Sequence, residues 1–180
     1  FINKEEIGMK KILLILNHSL SGFGSDEQAQ LKPSGKKAPL GPGVTLLPFL
    51  QKQGAEIVAT LYCGDQYYLE NEEEVAKKFI GFAKKFHADA VLCGPAMHYP
   101  NFGEMAARLA CKFNAAGIPA IAAMAEENPA VSHYYQQVPI VKMPKKGGIG
   151  LNNSFKQMAQ LVVAKANGKE TKQLEETSCF

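Results

Sequence analysis

AEIVATLYCGDQYYLENEEEVAKKFIGFAKKFHADAVLCG, residues 55–94, contains a complete crossover unit. AEIVATLYC is an apolar run of strand length, too uniformly hydrophobic for a strand with one wet face. NEEEVAKKFIGFAKKFH then reads as a helix. Asn71 stands at the N-cap, Glu72 to Glu74 fill the first turn, and lysines gather toward the end, the order the helix dipole favours. Val75, Phe79, Phe82 and Phe86 recur at helical spacing, giving that helix one apolar face. ADAVLCG is the next strand. A strand, a helix and a second buried strand make a βαβ crossover, which implies a parallel sheet and right-handed connections.

The same alternation extends in both directions. Upstream, KILLILN (11–17) is another strand buried on both faces, and VTLLPFLQKQG (44–54) is a short helix stopped by Gly54, with Pro48 tolerable only in its first turn. Downstream, GEMAARLACKFNAAG (103–117) is a helix, IPAIAAM (118–124) a strand and VPIVKM (138–143) a fifth strand. Between those two strands EENPAVSHYYQQ is a loop or short helix, and the last helix covers roughly 152–167 up to Gly168. The expected fold class is α/β, a doubly wound open parallel sheet of about five strands, Rossmann-like or flavodoxin-like. Residues 1–10 read as an extension, remnant or processed end, 11–168 as one α/β domain and 169–180 as a polar tail. Residues 18–43 form a polar loop rich in Gly, Ser, Pro and Lys, and a structureless loop of that length is usually functional or mobile.

Composition narrows the classes. The 180 residues are 46% hydrophobic, enough for one buried core, and the net charge of +3 is spread without a basic and aromatic stripe, which argues against nucleic acid. No apolar stretch is long enough to cross a membrane, and KKILLIL stops at Asn17 too soon for a signal peptide, so a cytoplasmic protein is expected. The four cysteines (Cys63, Cys93, Cys111, Cys179) form no CxxC pair, which argues against a zinc knuckle and a secreted disulfide scaffold. In a flavodoxin-like order Cys63 and Cys93 would lie about 9–10 Å apart, too far for a disulfide. Arg108 is the only arginine, so one guanidinium serves the whole chain.

Ligands of open parallel sheets bind beyond the carboxyl ends of the strands. The loops expected there carry His18, His98 and His133, three of the four histidines, with many of the carboxylates, asparagines and tyrosines. Gly41-Pro42-Gly43 would direct amides at an anion, although it is neither a dinucleotide fingerprint nor a P-loop, and KKGGIGLNN (145–153) is more simply a turn than a phosphate cradle. Cys63 and Cys93 are candidate nucleophiles only with exposed, acidified thiols. Glu126-Glu127-Asn128-Pro129 would bind a cationic group or serve equally well as the solvated first turn of a helix. His98 and His133 lack the fixed spacing of a metal motif, and no metal is expected. LYCGDQYYLEN and VLCGPAMHYPNFG both end a strand in Cys-Gly and continue into a short aromatic loop.

Read in order, GPGVTLLPFLQKQGAEIVATLYCGDQYYLENEEE (41–74), CGPAMHYPNFGEMAARLA (93–110) and GIPAIAAMAEENPAVSHYY (117–135) resemble the N-terminal half of the selenoprotein B subunit of the glycine/sarcosine/betaine reductases. The similarity runs collinearly from about Gly41 to Gly168. It implies anaerobic reductive deamination of a small amino acid or betaine. In that family the substrate amine engages a pyruvoyl group on a partner subunit, a selenocysteine attacks the substrate carbon, and the carboxymethyl group passes to a small selenoprotein carrier. The selenocysteine motif belongs to a second half that these residues do not contain, so the resemblance implies no cofactor in this chain and partners that carry both groups. It supports binding and assembly over turnover, with homo-oligomerisation left open.

On that footing the residues expected to line a site for a small zwitterion are Gly41, Pro42 and Gly43 (amides toward a carboxylate), Asp65, Tyr67 and Asn71, Gly94, Pro95 and Phe102, and Glu126, Glu127 and Asn128. Aromatic faces there would attract the cationic end. Two alternatives remain open: a self-contained enzyme using a cysteine nucleophile or a flavin on the same edge, and a docking domain whose 18–43 loop engages a protein.

Overall fold

The computed structural model describes residues 8–180, so the N-terminal extension read from the sequence lies, for residues 1–7, outside the described residues. β1 (Lys10–Asn17) is the central strand, and Ile12 to Leu16 are all fully buried, the reason its sequence shows no alternation. β3 (Ala55–Cys63) and β4 (Ala90–Cys93) flank it in parallel, and β5 (Ala120–Ala125) and β6 (Ile140–Met143) continue outward in the same direction. A sixth strand, β2 (Ser34–Lys36), pairs antiparallel with β3 at the opposite edge. The order β2-β3-β1-β4-β5-β6 is flavodoxin-like in its five parallel strands.

The helices cover both faces. α1 (Pro42–Lys52) and α6 (Leu151–Ala166) pack together on one, while α2 (Asp65–Glu70), α3 (Glu72–Lys85), α4 (Pro100–Ala115) and α5 (Ala130–Tyr134) form a connected group on the other. α1 starts at Pro42, so Pro48 falls beyond the first turn rather than within it. The hydrogen bond it cannot make is the one to Val44, which lies on the exposed side of the helix. α3 begins where expected, but Asn71 does not cap it with its side chain; Asn71 Nδ2 donates back to the Tyr67 carbonyl instead. That reversal is possible because 65–70, read as loop, is itself the short helix α2.

Two segments are more ordered than their composition suggests. The 18–43 stretch carries β2 and a 3-10 turn at Asp26–Gln28, and it is laid over the ends of β1 and β3. Phe23 stacks on Tyr62 at 4.4 Å, Gly64 N–H donates to Leu31 O, and Tyr67 N–H donates to Ala29 O. Residues 169–180, read as a polar tail, contain α7 (Lys172–Ser178) and dock on the outer edge of β6 through a Val141–Cys179 bridge. A helix and a bridge there shield an edge that would otherwise be open.

The repeated Cys-Gly now has a physical cause. A Cβ on Gly64 would overlap the Ala29 carbonyl and come 2.6 Å from Leu31 N, so the loop crosses the strand tip backbone to backbone. Gly94 has φ +117, and a Cβ there would lie 2.8 Å from Ala123 O. A second device links two loops. Buried Asn128 donates to the carbonyls of Met97 (3.2 Å) and Tyr99 (3.0 Å) and accepts from Ala130 N–H (3.1 Å). Its amide occupies the space a side chain at Gly103 would need.

Replacing Gly64 by Ala is expected to destabilise the protein by about 2–3 kcal/mol through backbone overlap. Gly81→Ala, inside α3 with nothing within 4 Å of the added methyl, is expected to stabilise it by about 0.5–1 kcal/mol. Urea denaturation of both variants measures the contrast. Asn128→Ala should cost about 2 kcal/mol and raise amide exchange across 96–99, because it leaves the Ala130 N–H unpaired and unclamps the loop.

Candidate functional site

The chain leaves β1 toward β3 on one side and later crosses to β4 on the other, so the sheet's switch point lies between the carboxyl ends of β1 and β4. Beside it is a cleft of about 250 Å³. Leu20 enters from beyond β1, Met97, His98 and Tyr99 from beyond β4, and Ala125 and Glu127 from the end of β5. The far wall is Met143 to Gly148 after β6, with Leu151 at the start of α6.

Each wall is held by a local cause. Met97 sits at φ +54, a left-handed conformation that costs a non-glycine residue about 1–2 kcal/mol. Hydrogen bonds to its carbonyl from Ala125 N–H (2.9 Å) and Asn128 Nδ2 hold it there. His98 stacks on Tyr99 with ring centroids 4.5 Å apart, leaving Tyr99 39% exposed at the rim. Glu127 Oε1 accepts the Lys146 N–H at 2.9 Å, tying the β5 loop to the glycine-rich β6 loop. Lys145 Nζ lies 3.9 Å from Glu126, a loose and exposed pair.

The residues expected to line a site are distributed differently. Glu127 lines this cleft and an adjoining shallow surface, and Glu126 and Asn128 contribute only to the latter, with Tyr135 and Phe180. Gly43 N–H is donated to Leu40 O and Pro42 has no N–H, so only Gly41 of the three could offer an amide to a ligand. Asp65 is buried and accepts from Asn17 Nδ2 at 2.9 Å, pinning α2 to the tip of β1. The Tyr67 hydroxyl donates to Glu74, and Asn71 turns back to Tyr67. Gly94 and Pro95 shape the tip of β4 beneath Met97, and Phe102 is fully buried in the core. Leu20, Met97, Met143 and Leu151 were not anticipated, because a loop leucine or methionine looks like any other; only the 145–153 glycine pattern pointed to that wall.

Titratable groups elsewhere are engaged in structure. Burial pushes the Cys63 thiol up to about 12, with nearby Asp65 adding to the effect, and burial likewise raises Cys93. Arg108, the single guanidinium, is occupied within the protein: Nε donates to Tyr134 Oη (2.9 Å) and Glu104 (3.1 Å), and a terminal nitrogen reaches Glu72 at 3.3 Å. Burial opposes ionisation of Glu104, yet hydrogen bonds from Tyr134 and His133 and the charge of Arg108 hold its carboxyl below the usual range. His133 is drawn into this network on the helical face, away from the cleft. His18 is buried, with Nδ1 lacking a hydrogen-bond partner. Among the described residues no three His, Cys, Asp or Glu side chains gather as metal ligands, and no helix is long and apolar enough to cross a membrane.

A family model for glycine/sarcosine/betaine reductase selenoprotein B matches residues 9–180. The chain is 33% identical over 164 residues to the sarcosine reductase complex component B subunit beta of Peptoclostridium acidaminophilum, covering 89% of this chain and 37% of that protein. It is 35% identical over 152 residues to the glycine reductase complex component B subunit gamma of Carboxydothermus hydrogenoformans, covering 84% and 34%. It is 27% identical over 150 residues to the betaine reductase complex component B subunit beta of Peptoclostridium acidaminophilum, covering 81% and 32%. The chain thus spans about a third of the length of these relatives. No solved structure matches it. A family match that runs through every strand and helix of the sheet decides the assignment: the chain belongs to the glycine/sarcosine/betaine reductase selenoprotein B family.

Proposed function

We propose that this chain is a substrate-binding and assembly part of a B-type reductase component, acting in anaerobic reductive deamination of a small amino acid or betaine. The observation that carries the reading is the family match across 9–180, joined to relatives that are each named as a component of a reductase complex. The cleft supports that reading by the chemistry of its lining. Its lysines suit a carboxylate, and the oxygen of Glu127 that does not accept from Lys146 suits an ammonium or a quaternary amine lying against Tyr99.

The pyruvoyl group and the selenocysteine belong, in this reading, to partner chains, where they would supply an electrophilic carbonyl for the amine and a nucleophile for the substrate carbon. The residues here bind and orient. Nothing in the cleft wall is a thiol, and both strand-end cysteines are fully buried. Assembly has support at the same end of the molecule. Ile149 is 96% exposed just before α6, and Val44 is 62% exposed in the first turn of α1, the helix against which α6 packs. Apolar side chains at a helix-lined rim suit a protein partner.

Two outcomes follow. Thiol titration of the native protein at pH 8 should find Cys63 reacting about a thousandfold more slowly than free cysteine, as a thiol raised to about 12 requires. A fast single thiol at Cys63 or Cys93 would instead establish the cysteine-nucleophile alternative. Co-purification with the pyruvoyl-bearing and selenocysteine-bearing chains should recover a stoichiometric complex. The pair Val44→Glu and Ile149→Glu should weaken that complex about tenfold or more, by placing charge at the contact. Recovery of this chain alone, with both partners present and folded, would remove the assembly part.

A further inference from the structure

We infer that the groove between the β2 edge and α3 docks an extended acidic segment of another protein, added to the sheet as a further strand. The two edges of the sheet are finished differently. At β6, α7 and the Val141–Cys179 bridge cover the outer side, whereas β2 ends the sheet with all three of its residues exposed and no described strand beyond it. An antiparallel strand turns alternate backbone groups away from its neighbour, so this edge presents N–H and C=O groups for pairing. Beside it, Lys36, Lys37, Lys78, Leu61, Phe82 and Phe86 line a groove of about 300 Å³. Its aromatic wall is surplus to the core: Val75 and Phe79 on the same helix are fully buried, but Phe82 and Phe86 are only partly so. Their rings stack at 5.9 Å, and Lys37 Nζ stands 5.6 Å from the Phe86 ring centroid, which places a positive charge against the groove wall. Gly35 keeps the floor apolar, because Leu61 Cδ2 lies 2.6 Å from where a Cβ at Gly35 would be.

Charge decides the occupant. The groove is lined by three lysines and no carboxylate, and none of the three forms an ion pair among the described residues. A second β2 laid against the first would bring like charges together, so the lysines select against self-pairing. A nucleic acid would meet their charge but leave the strand's outward N–H and C=O groups without a ladder partner. An extended acidic peptide answers all three features. Its backbone pairs with Ser34–Lys36, one aliphatic or aromatic side chain packs against Phe82 and Phe86, and its carboxylates meet the lysines. Main-chain pairing supplies affinity in such a geometry, and the side-chain groove supplies specificity. This groove shares no residue with the cleft at the carboxyl ends of the strands, so it stands whether or not that cleft holds a ligand.

The test is fluorescence anisotropy of a labelled hexapeptide (two glutamates, valine, phenylalanine, two glutamates) titrated with the full chain. Saturable binding is expected, weakening about tenfold between about 0.05 M and about 0.5 M salt as the charges are screened. Hydrogen exchange should slow at the amides of Ser34–Lys36 when the peptide binds. Lys37→Glu combined with Lys78→Glu, both at exposed positions, should weaken binding about tenfold or more. Lys172→Glu on α7, at the other edge of the sheet, should leave it unchanged. N-methylation of the peptide's central amides should abolish binding while keeping its charge, which separates strand pairing from simple attraction. Equal binding by the methylated peptide, or by one with lysines in place of the glutamates, overturns the assignment, as does the lack of saturable binding. A single-stranded oligothymidylate that binds more tightly and leaves 34–36 unprotected gives the groove to nucleic acid and overturns it too. Dimerisation of the chain that the two charge reversals remove gives the edge to a second copy, with the same consequence.

Discussion

At the carboxyl edge of the sheet, main chain lies directly on main chain. Gly64 admits the Ala29–Leu31 crossing, and Gly94 admits the approach of Ala123. Without those two contacts the 18–33 segment could not lie over β3, and the β4 tip could not sit close enough to β5 for Ala96 N–H to reach Ala123 O at 2.8 Å. Everything at the site depends on this layer, because the cleft walls are loops and loops have no geometry of their own. Packing backbone on backbone converts them into fixed surfaces at the cost of tolerating no side chain at either position.

Asn128 extends the same logic to side chains. A single amide holds two carbonyls and one N–H, and the space it needs is the space Gly103 leaves. Glu-Glu-Asn-Pro and Tyr-Pro-Asn-Phe-Gly, separate in sequence, are thereby two halves of one contact. Buried amides used in this way specify a unique arrangement, since any other would leave their polar atoms unpaired. On the helical face the Arg108 network plays a parallel part. It joins the N-terminus of α3, the middle of α4 and the end of α5, steadying the helix that follows the Asn128 loop.

The two networks also divide the polar residues between structure and chemistry. Asp65, Tyr67, Asn71 and Arg108 all carry groups that would suit a ligand, and each is engaged within the fold. The groups left facing the cleft are lysines on a glycine-rich loop, one glutamate, and a histidine stacked on a tyrosine. Apolar side chains supply most of the remaining wall. Such a surface has charged and aromatic groups suited to holding a ligand and no thiol to react with one.

By itself the sequence determined the class of fold, the places of five strands and the major helices, and the family. Those features are written in local periodicity, helix-end chemistry and motif order, all of which act over a few neighbouring residues. The tertiary structure alone decided the strand order, the edge strand Ser34–Lys36, the docking of 172–180 on β6, and which polar groups remain available. Asp65 could not be known to face Asn17, nor Asn128 to face Gly103, because those pairings join positions 48 and 25 residues apart and depend on how the strands are shuffled. Met97 and Leu151 became cleft walls for the same reason: an apolar side chain acquires a role only when the chain brings a second one opposite it.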